Sequence, residues 1–358
     1  MRKNSLYIML LISAFILLSC EQQNVSLHTI VHKDGTCTRE FNYSNVMSKQ
    51  MRDSLWGNSI GWSQPIPDCL NIDGYEDSHT DVKEDTVTTI FKHVFDTAEE
   101  MSAESPLQLN GVRLKSDAKL EKHFKWFYTE YVFTETFSCV GDSFKLNALN
   151  YADESIVSYW FTGQPNLVEG LSGAEASEKI KEMEPPISKW LNDNLFNIIF
   201  DYIVNHYDSI AHPPVSRERF IALHDSLTNY ILSKYDNTLD VEPANTMRDF
   251  FHSDAYNIFF DENTICGKEL EKEYSNCLNI LWFSVSYTLS MPGKVIDTGT
   301  GVCKNGVIIY PLTGERLIPH DYVITATSRV TNIWAYIVSV LIILLSIGSL
   351  LYHKVRKE

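Results

Sequence analysis

An uninterrupted apolar run lies near the C-terminus of the chain. Residues 333–352 contain no charged side chain. As a helix rising about 1.5 Å per residue they would cover about 30 Å, the thickness of the hydrocarbon core of a bilayer. Trp334, Tyr336 and Tyr352 stand at its ends, where amphipathic rings prefer the headgroups, and the basic segment 353–358 follows. The pattern predicts a transmembrane helix at 333–352 and a cytoplasmic tail at 353–358.

A second apolar run begins close to the N-terminus. Leu6–Leu18 follows the basic pair Arg2 and Lys3 and is too short to span a bilayer. This arrangement is typical of an export signal, predicted at 1–19. The run ends in Leu-Leu-Ser-Cys20, which resembles the lipobox of bacterial lipoproteins and implies that Cys20 becomes lipidated after cleavage. The alternatives are ordinary signal cleavage and an uncleaved anchor.

Strand patterns fill the first half of the chain. Apolar residues on either side of Asp34-Gly35 predict a β-hairpin, because Asp-Gly supplies the positive φ of a tight turn. The β-branched and aromatic segment 86–95 predicts a strand. The aromatic segment 119–139 predicts a long central strand or a hairpin buried on both faces, with its rings in the core. Short helices are predicted at 45–55 and after Asp96, which would cap the second.

The period then changes from two residues to between three and four. Segment 174–207 carries one apolar stripe and predicts a long helix, started or broken by Pro185-Pro186. Ser216 is a candidate N-cap for a helix that continues to Tyr235. Less regular helical patterns occur at 245–256 and 268–278.

Alternation returns near the end. Segment 281–290 alternates apolar and polar residues with a period of two and predicts a strand that includes Trp282. Asn305-Gly306 predicts a hairpin turn, followed by a strand at 307–312. A last strand is predicted at 322–328, directly before the apolar run.

These patterns predict an α+β fold. An antiparallel sheet would be built from the N- and C-terminal parts, with a helical insertion between them and one C-terminal transmembrane helix. The predicted organisation is a lipoprotein-type signal peptide at 1–19, an N-terminal β-rich part at 20–173, a helical insertion at 174–278, a C-terminal β part at 279–332, the transmembrane helix at 333–352 and the tail at 353–358.

Composition narrows the class of partner. The net charge is −16, and removing the two positive charges before residue 4 and the net two after residue 352 leaves −20 on residues 20–352. A field of that sign repels phosphate backbones, so we expect no nucleic-acid partner. It also repels anionic headgroups, so we expect the folded part to stand off the membrane.

Six cysteines remain besides Cys20: Cys37, Cys69, Cys139, Cys266, Cys277 and Cys303. An even number in an exported chain permits three disulfides in any of fifteen connectivities. Buried free thiols are the alternative. Spacing does not decide between them.

Chemical motifs are sparse. Asp297-Thr298-Gly299 has the residues of an aspartic protease motif, but that chemistry needs two carboxylates and the chain has one such triplet. Two polar groups, one at 206–212 and the other at 249–261, contain His and Asp without the spacing of a defined metal site. The phosphate-binding, dinucleotide-binding, zinc-protease and nucleophile-elbow signatures are missing from the sequence. We therefore expect no metal and no cofactor.

Short segments resemble bacterial envelope proteins. Ser290-Met-Pro-Gly-Lys-Val295, then Asn305-Gly-Val307, then Asp321-Tyr-Val-Ile-Thr-Ala326 before a membrane helix resemble the tail of LppM-type envelope domains. Tyr310 stands where those domains have Trp. The whole chain is more similar to uncharacterised Bacteroidota lipoproteins with a Phe-x-Trp-Phe-Tyr-Thr strand, matched at Phe124–Thr129. The resemblance implies an envelope protein and no catalytic residues.

The sequence thus predicts a non-enzymatic envelope lipoprotein of the bacterial inner membrane, with its large domain in the periplasm and its C-terminus in the cytoplasm. It would bind an envelope protein or an amphiphilic, lipid-like ligand on a face formed by Trp126, Tyr128 and Trp282. The alternative is a membrane-tethered hydrolase, which would need a cleft with a His in reach of a Ser or a carboxylate.

Overall fold

The computed structural model describes residues 24–46, 66–72, 75, 77–83, 85–234 and 241–355. The strands are β1 (Asn24–Val31), β2 (Cys37–Val46), β3 (Asp77–Lys83), β4 (Thr86–Phe95), β5 (Gln108–Leu109), β6 (Val112–Arg113), β7 (Ser116–Phe124), β8 (Tyr128–Phe137), β9 (Ser284–Ser290), β10 (Lys294–Asp297), β11 (Val302–Lys304), β12 (Val307–Thr313) and β13 (Tyr322–Thr331). The helices are α1 (Ala98–Ala103), α2 (Glu154–Thr162), α3 (Gly173–Asn205), α4 (Arg217–Ala222), α5 (His224–Lys234), α6 (Pro243–Phe251), α7 (Ile265–Trp282) and α8 (Ile333–Val355).

The chain divides into two compact units. The sheet unit comprises the described residues of Met1–Phe137, Ser284–Leu312 and Tyr322–Glu358, and the helical unit comprises those of Ser138–Phe283 and Thr313–Asp321. The fold is therefore α+β, and in sequence most of the helices come after the early strands and before the late strands, as predicted.

The strands of the sheet unit form two main sheets rather than one. The larger has the order β11-β12-β9-β1-β2-β4-β3, and the smaller has the order β10-β13-β8-β7. Each combines early and late strands, because β1 pairs in parallel with β9 and β8 pairs antiparallel with β13. β5 and β6 form a separate two-stranded ribbon.

Both predicted turns form, but only Asn305-Gly306 is a two-residue turn, because five residues separate β1 from β2. Gly35, between β1 and β2, has a φ of +109°, and Asn305 and Gly306, between β11 and β12, have φ values of +53° and +82°. Such values favour glycine and asparagine over other residues, which is why the two dipeptides identify these turns.

A buried ion pair joins the two main sheets. The guanidinium of Arg39 on β2 donates to both carboxylate oxygens of Glu135 on β8, at 3.1 and 2.6 Å, and both side chains are fully buried. Arg39 also donates to Thr29 at 3.1 Å, while Glu135 accepts from Tyr287 at 2.7 Å and from Ser116 at 3.1 Å. Burial lowers the pKa of Arg39, but the charge of Glu135, the hydrogen bonds to it and the nearby Tyr287 together outweigh burial, and the net pKa is raised. Arg39 therefore stays charged, and the hydrogen-bonded cluster fixes the two sheets to each other.

The long helix α3 begins before the two prolines that were predicted to start or break it. Ser172 caps α3 in a capping box with Glu175, and Pro185 and Pro186 lie inside the helix. Its buried face is anchored by Trp190, whose indole donates to the Leu146 carbonyl at 2.7 Å.

Several local predictions need correction. Thr97, not Asp96, caps α1, because its side chain accepts from the Glu100 amide at 3.1 Å. Ser216 does cap a helix, but the helix predicted after it is divided into α4 and α5 at Leu223. The predicted helix 45–55 lies almost wholly outside the described residues, except for its first two, which end β2. Tyr235 also lies outside them.

The predicted transmembrane segment is a helix. In α8, the twenty residues from Ile333 to Tyr352 have a mean hydropathy of 2.4, and only 6% of their most apolar window is buried. A core helix of a soluble protein would be mostly buried. By length and composition α8 is therefore a candidate to cross a membrane.

Candidate membrane-interface site

The aromatic run of the sequence forms the tip of a hairpin. β7 and β8 are joined by Lys125, Trp126 and Phe127, and the turn is closed by the Lys125 amide to the Tyr128 carbonyl at 2.8 Å and the reverse bond at 3.2 Å. The exposed fractions are 60% for Phe124, 43% for Trp126 and 42% for Phe127. The prediction that this run packs in the core is wrong for these three rings. Further along β8, Tyr131 and Phe133 are buried as predicted.

The tip is bonded to the point where α8 begins. Asn332 connects β13 to α8, and its backbone amide donates to the Phe127 carbonyl at 2.9 Å. Its side-chain amide donates to the Lys125 carbonyl at 2.9 Å and accepts from the Thr129 hydroxyl at 3.1 Å. Only 9% of Asn332 is exposed. These bonds hold the turn against the first residue of the apolar helix, Ile333.

Ring contacts extend this junction. Phe124 stacks on Trp334 with centroids 6.2 Å apart and an interplanar angle of 7°. Trp126 meets Trp334 edge-on at 5.3 Å, and Phe127 packs on Tyr336 at 4.8 Å. Trp334 and Tyr336 are about half exposed, at 50% and 49%. We call these five residues the aromatic tip.

One polar bond reaches further along the helix. The Trp126 indole N–H donates to the Ser339 hydroxyl at 2.8 Å. Ala335, one turn earlier on the same face, is fully buried. The small residues of this face let the hairpin approach closely, a use of small side chains that also occurs between membrane helices.

Of the three residues predicted to form a ligand face, two lie in the sheet unit and one lies in the helical unit. Trp126 and Tyr128 lie at the same end of the β7–β8 hairpin, and Tyr128 faces the guanidinium of Arg329, 4.6 Å from its ring centroid. Arg329 pairs with Glu130 at 2.8 Å. Trp282 lies on no strand, because it is the last residue of α7 in the helical unit, and it is 48% exposed. The alternation of apolar and polar residues that predicted a strand includes Leu281 and Trp282. In the structure α7 instead continues to Trp282, and the Phe283 amide donates to the Asn279 and Ile280 carbonyls.

The residues that bond to Trp126 could not be predicted from their positions in the sequence. Asn332 and Ser339 are more than 200 residues away from the hairpin turn in sequence. Trp334 and Tyr336 carried a signal, because aromatic residues at the start of an apolar helix favour the membrane interface. Nothing in the pattern linked them to Phe124 or Phe127.

Cys20, the predicted signal peptide and the last three residues of the predicted tail lie outside the described residues, because the structure describes neither 1–23 nor 356–358. Lipidation of Cys20 therefore stays a prediction.

The six other cysteines are free thiols in the structure. Burial raises the pKa of Cys37, Cys69 and Cys277 to about 11 in each case. Thiolate is the nucleophilic form, so these three are poorly reactive at neutral pH.

The remaining polar motifs are used locally. Asp297 accepts from the Gly299 amide at 3.0 Å, and Thr298 donates to the Gly301 carbonyl at 2.8 Å, which forms a tight turn. Within the described parts of the chain, no group of three or more His, Cys, Asp or Glu is arranged to hold a metal ion.

Two histidines lie within hydrogen-bond distance of a hydroxyl or a carboxylate, which proton transfer requires. His28 Nε2 lies 2.9 Å from the Ser290 hydroxyl in the sheet unit. Burial lowers the pKa of His28, opposed by the charge of Glu40. In the helical unit, His224 Nδ1 lies 2.9 Å from Asp225, beside an open cleft of about 450 Å³.

The helical unit also contains an apolar crevice. It has a volume of about 40 Å³ and is lined by residues of α3, α4, α5, α6 and α7, with Leu195, Leu227 and Met247 among them. A space of that size holds one or a few water molecules and no acyl chain.

No protein-family model, curated protein or solved structure matches this chain.

Proposed function

We propose that this protein is a membrane-anchored lipoprotein of the bacterial envelope that acts by binding a protein partner or an amphiphilic ligand. The observation that carries the proposal is α8, which is long and apolar enough to span a bilayer and is almost entirely unburied. Exposed apolar surface of this extent is costly in water and favourable in lipid. The helix follows β13 directly, so the sheet unit is tied to the membrane without a linker.

The proposed location is the inner membrane, with both units in the periplasm and the C-terminus in the cytoplasm. The basic residues after Tyr352 support this orientation, because positive charges are retained on the cytoplasmic side. The N-terminal basic and apolar pattern with Cys20 supports export and a second, acyl anchor.

Exposed thiols provide a test of this topology. Cys139 and Cys303 are exposed, so a membrane-impermeant maleimide is expected to label them in intact spheroplasts. The Cys139→Ser/Cys303→Ser variant should lose that labelling. In this background, Glu358→Cys should react only after the membrane is permeabilised. If Cys139 and Cys303 also react only after permeabilisation, both units lie in the cytoplasm and the proposed location is wrong.

A binding role fits the aromatic tip. Its rings are large, rigid and about half exposed, and aromatic side chains with these properties dominate recognition surfaces. Its position at the start of α8 makes it accessible to molecules that lie at a membrane surface, including amphiphiles.

The second candidate function is a membrane-tethered hydrolase, and the His28–Ser290 pair favours it. A hydroxyl within hydrogen-bond distance of an imidazole is the minimal nucleophile-and-base arrangement. The lowered pKa keeps His28 neutral at pH 7, the form that accepts a proton.

A fluorophosphonate probe, which modifies activated serines, separates the two functions. If the protein acts by binding, Ser290 stays unmodified, as measured by mass spectrometry of the purified full chain. A Ser290 adduct that is lost in the His28→Gln variant would instead establish the hydrolase. Ser286, an exposed serine on the same strand, is the internal control for nonspecific reaction.

A further inference from the structure

We propose that the aromatic tip is a membrane-docking surface whose partner is the lipid bilayer that α8 enters. The inference rests on the proposed membrane anchoring and adds a second contact, made by a β-hairpin. The β7–β8 turn would lie in the zone between headgroups and acyl chains, on the side of the bilayer from which α8 begins.

The depth of the Trp126 indole supports this placement. Its partner Ser339 is six residues beyond Ile333, which corresponds to about 9 Å along the helix axis at 1.5 Å per residue. Because residues 333–352 match the thickness of the hydrocarbon core, Ile333 lies at the boundary between headgroups and acyl chains. The Trp126 indole therefore reaches from this boundary into the outer part of the acyl-chain region.

The polar groups at the tip are hydrogen-bonded within the protein, as an environment with little water requires. An indole N–H without a partner is costly in a medium that lacks water, and Ser339 removes that cost. The Ser339 hydroxyl is itself a polar group in an apolar helix, and the same bond gives its oxygen a donor. The Lys125 and Phe127 carbonyls are bonded to Asn332, and Lys125 and Tyr128 exchange two further bonds across the turn.

The composition of the tip also fits a bilayer surface. Trp and Tyr residues favour the interface, and here Trp126, Trp334 and Tyr336 are gathered at one level. Lys125 is exposed in the turn beside these rings and carries the sign that suits lipid phosphates. The negative charge of the folded part predicted that it would stand off the membrane, and the tip is the place where hydrophobic contact offsets that repulsion.

Photo-crosslinking in lipid nanodiscs tests the inference. The full chain is prepared with p-benzoylphenylalanine at one position at a time and irradiated in phosphatidylcholine nanodiscs, and lipid adducts are measured by mass spectrometry. Phe127→p-benzoylphenylalanine replaces one exposed aromatic ring by another and is expected to give lipid adducts. Asp117, exposed on the same strand β7, is the matched control, because it lies seven residues before Phe124, or about 23 Å away at 3.3 Å per residue. It is expected to give none.

A third position separates failure of this inference from failure of the membrane anchor. Ile343→p-benzoylphenylalanine lies in the middle of α8 and must give lipid adducts if the helix spans the bilayer. Adducts at Ile343 without adducts at Phe127 would overturn the docking surface and leave the anchor intact. Absence at both would overturn both proposals. Adducts of Phe127 with a second copy of the chain instead of lipid would also overturn the inference, in favour of self-association.

Discussion

Replacing Glu135 with Gln is expected to lower the free energy of unfolding of the sheet unit by about 3–5 kcal/mol. The substitution keeps the shape of the side chain but removes its charge, which leaves the buried guanidinium of Arg39 without a counter-ion. Tyr287 and Ser116 also lose the carboxylate that accepts their hydrogen bonds. Breaking one half of a buried pair costs more than the pair contributes, because the remaining charge stays out of water.

The same strand supplies a matched control for this prediction. Glu130 on β8 pairs with Arg329 at a similar distance, 2.8 Å, but the side chains are 20% and 42% exposed. Glu130→Gln is therefore expected to cost about 1 kcal/mol or less. Hydrogen exchange of amides in β2 and β8, measured on the full chain in detergent, reports the opening of this unit separately from the helical one. Equal losses in the two variants would contradict the role given to burial.

The double variant Arg39→Met/Glu135→Leu tests the same ion pair with both charges removed. It removes both charges and replaces them with apolar side chains, so it should recover most of the stability that Glu135→Gln loses. Incomplete recovery would measure what the remaining hydroxyl of Tyr287 costs without an acceptor.

Placing two arginines in the middle of α8 is expected to abolish its insertion. Each arginine near the bilayer centre costs about 2.5–3.5 kcal/mol on insertion scales, so Ile343→Arg/Leu344→Arg costs about 5–7 kcal/mol. The C-terminal tail, for which we propose a cytoplasmic location, should then lie on the same side of the membrane as the folded units. In the Cys139→Ser/Cys303→Ser background, Glu358→Cys should become reactive to the impermeant maleimide in intact spheroplasts.

The matched control exchanges apolar residues at the same positions. Ile343→Leu/Leu344→Ile leaves the hydropathy of the helix nearly unchanged and should keep Glu358→Cys protected. This readout does not depend on whether Cys20 is acylated, because an acyl anchor at the N-terminus does not fix the side on which the C-terminus lies. Continued protection of Glu358→Cys in the arginine variant would show that α8 does not hold the tail across the membrane.

Periodicity predicted the local elements well. β4 spans Thr86–Phe95 as predicted, and α3 spans Gly173–Asn205 within two residues of the predicted helix. The pattern identifies which face of an element is buried, but it does not identify the element that covers that face. The division of the strands into two sheets, and the parallel pairing of β1 with β9, follow from contacts distant in sequence and could not be predicted.

The aromatic segment shows the same limit at the candidate site. Phe124 and Phe133 belong to one continuous run, yet Phe133 is fully buried while Phe124 is 60% exposed. The difference is their position in the hairpin, since Phe133 lies in the middle of β8 and Phe124 lies at the turn. Composition gives both residues the same preference, so only the location of the turn separates a core ring from an interface ring.

The pairing of β1 with β9 has a consequence for how the chain matures. Val31 and Ser284 are separated by 253 residues, from 284 − 31. At a synthesis rate of 5–20 residues per second, roughly 13–50 s pass between production of the first strand and arrival of its neighbour. During that delay one edge of β1 has no native neighbour to pair with, and an open edge invites pairing with other chains. Until β9 is in place, that edge of β1 is a site at which an incompletely folded copy can pair with another chain.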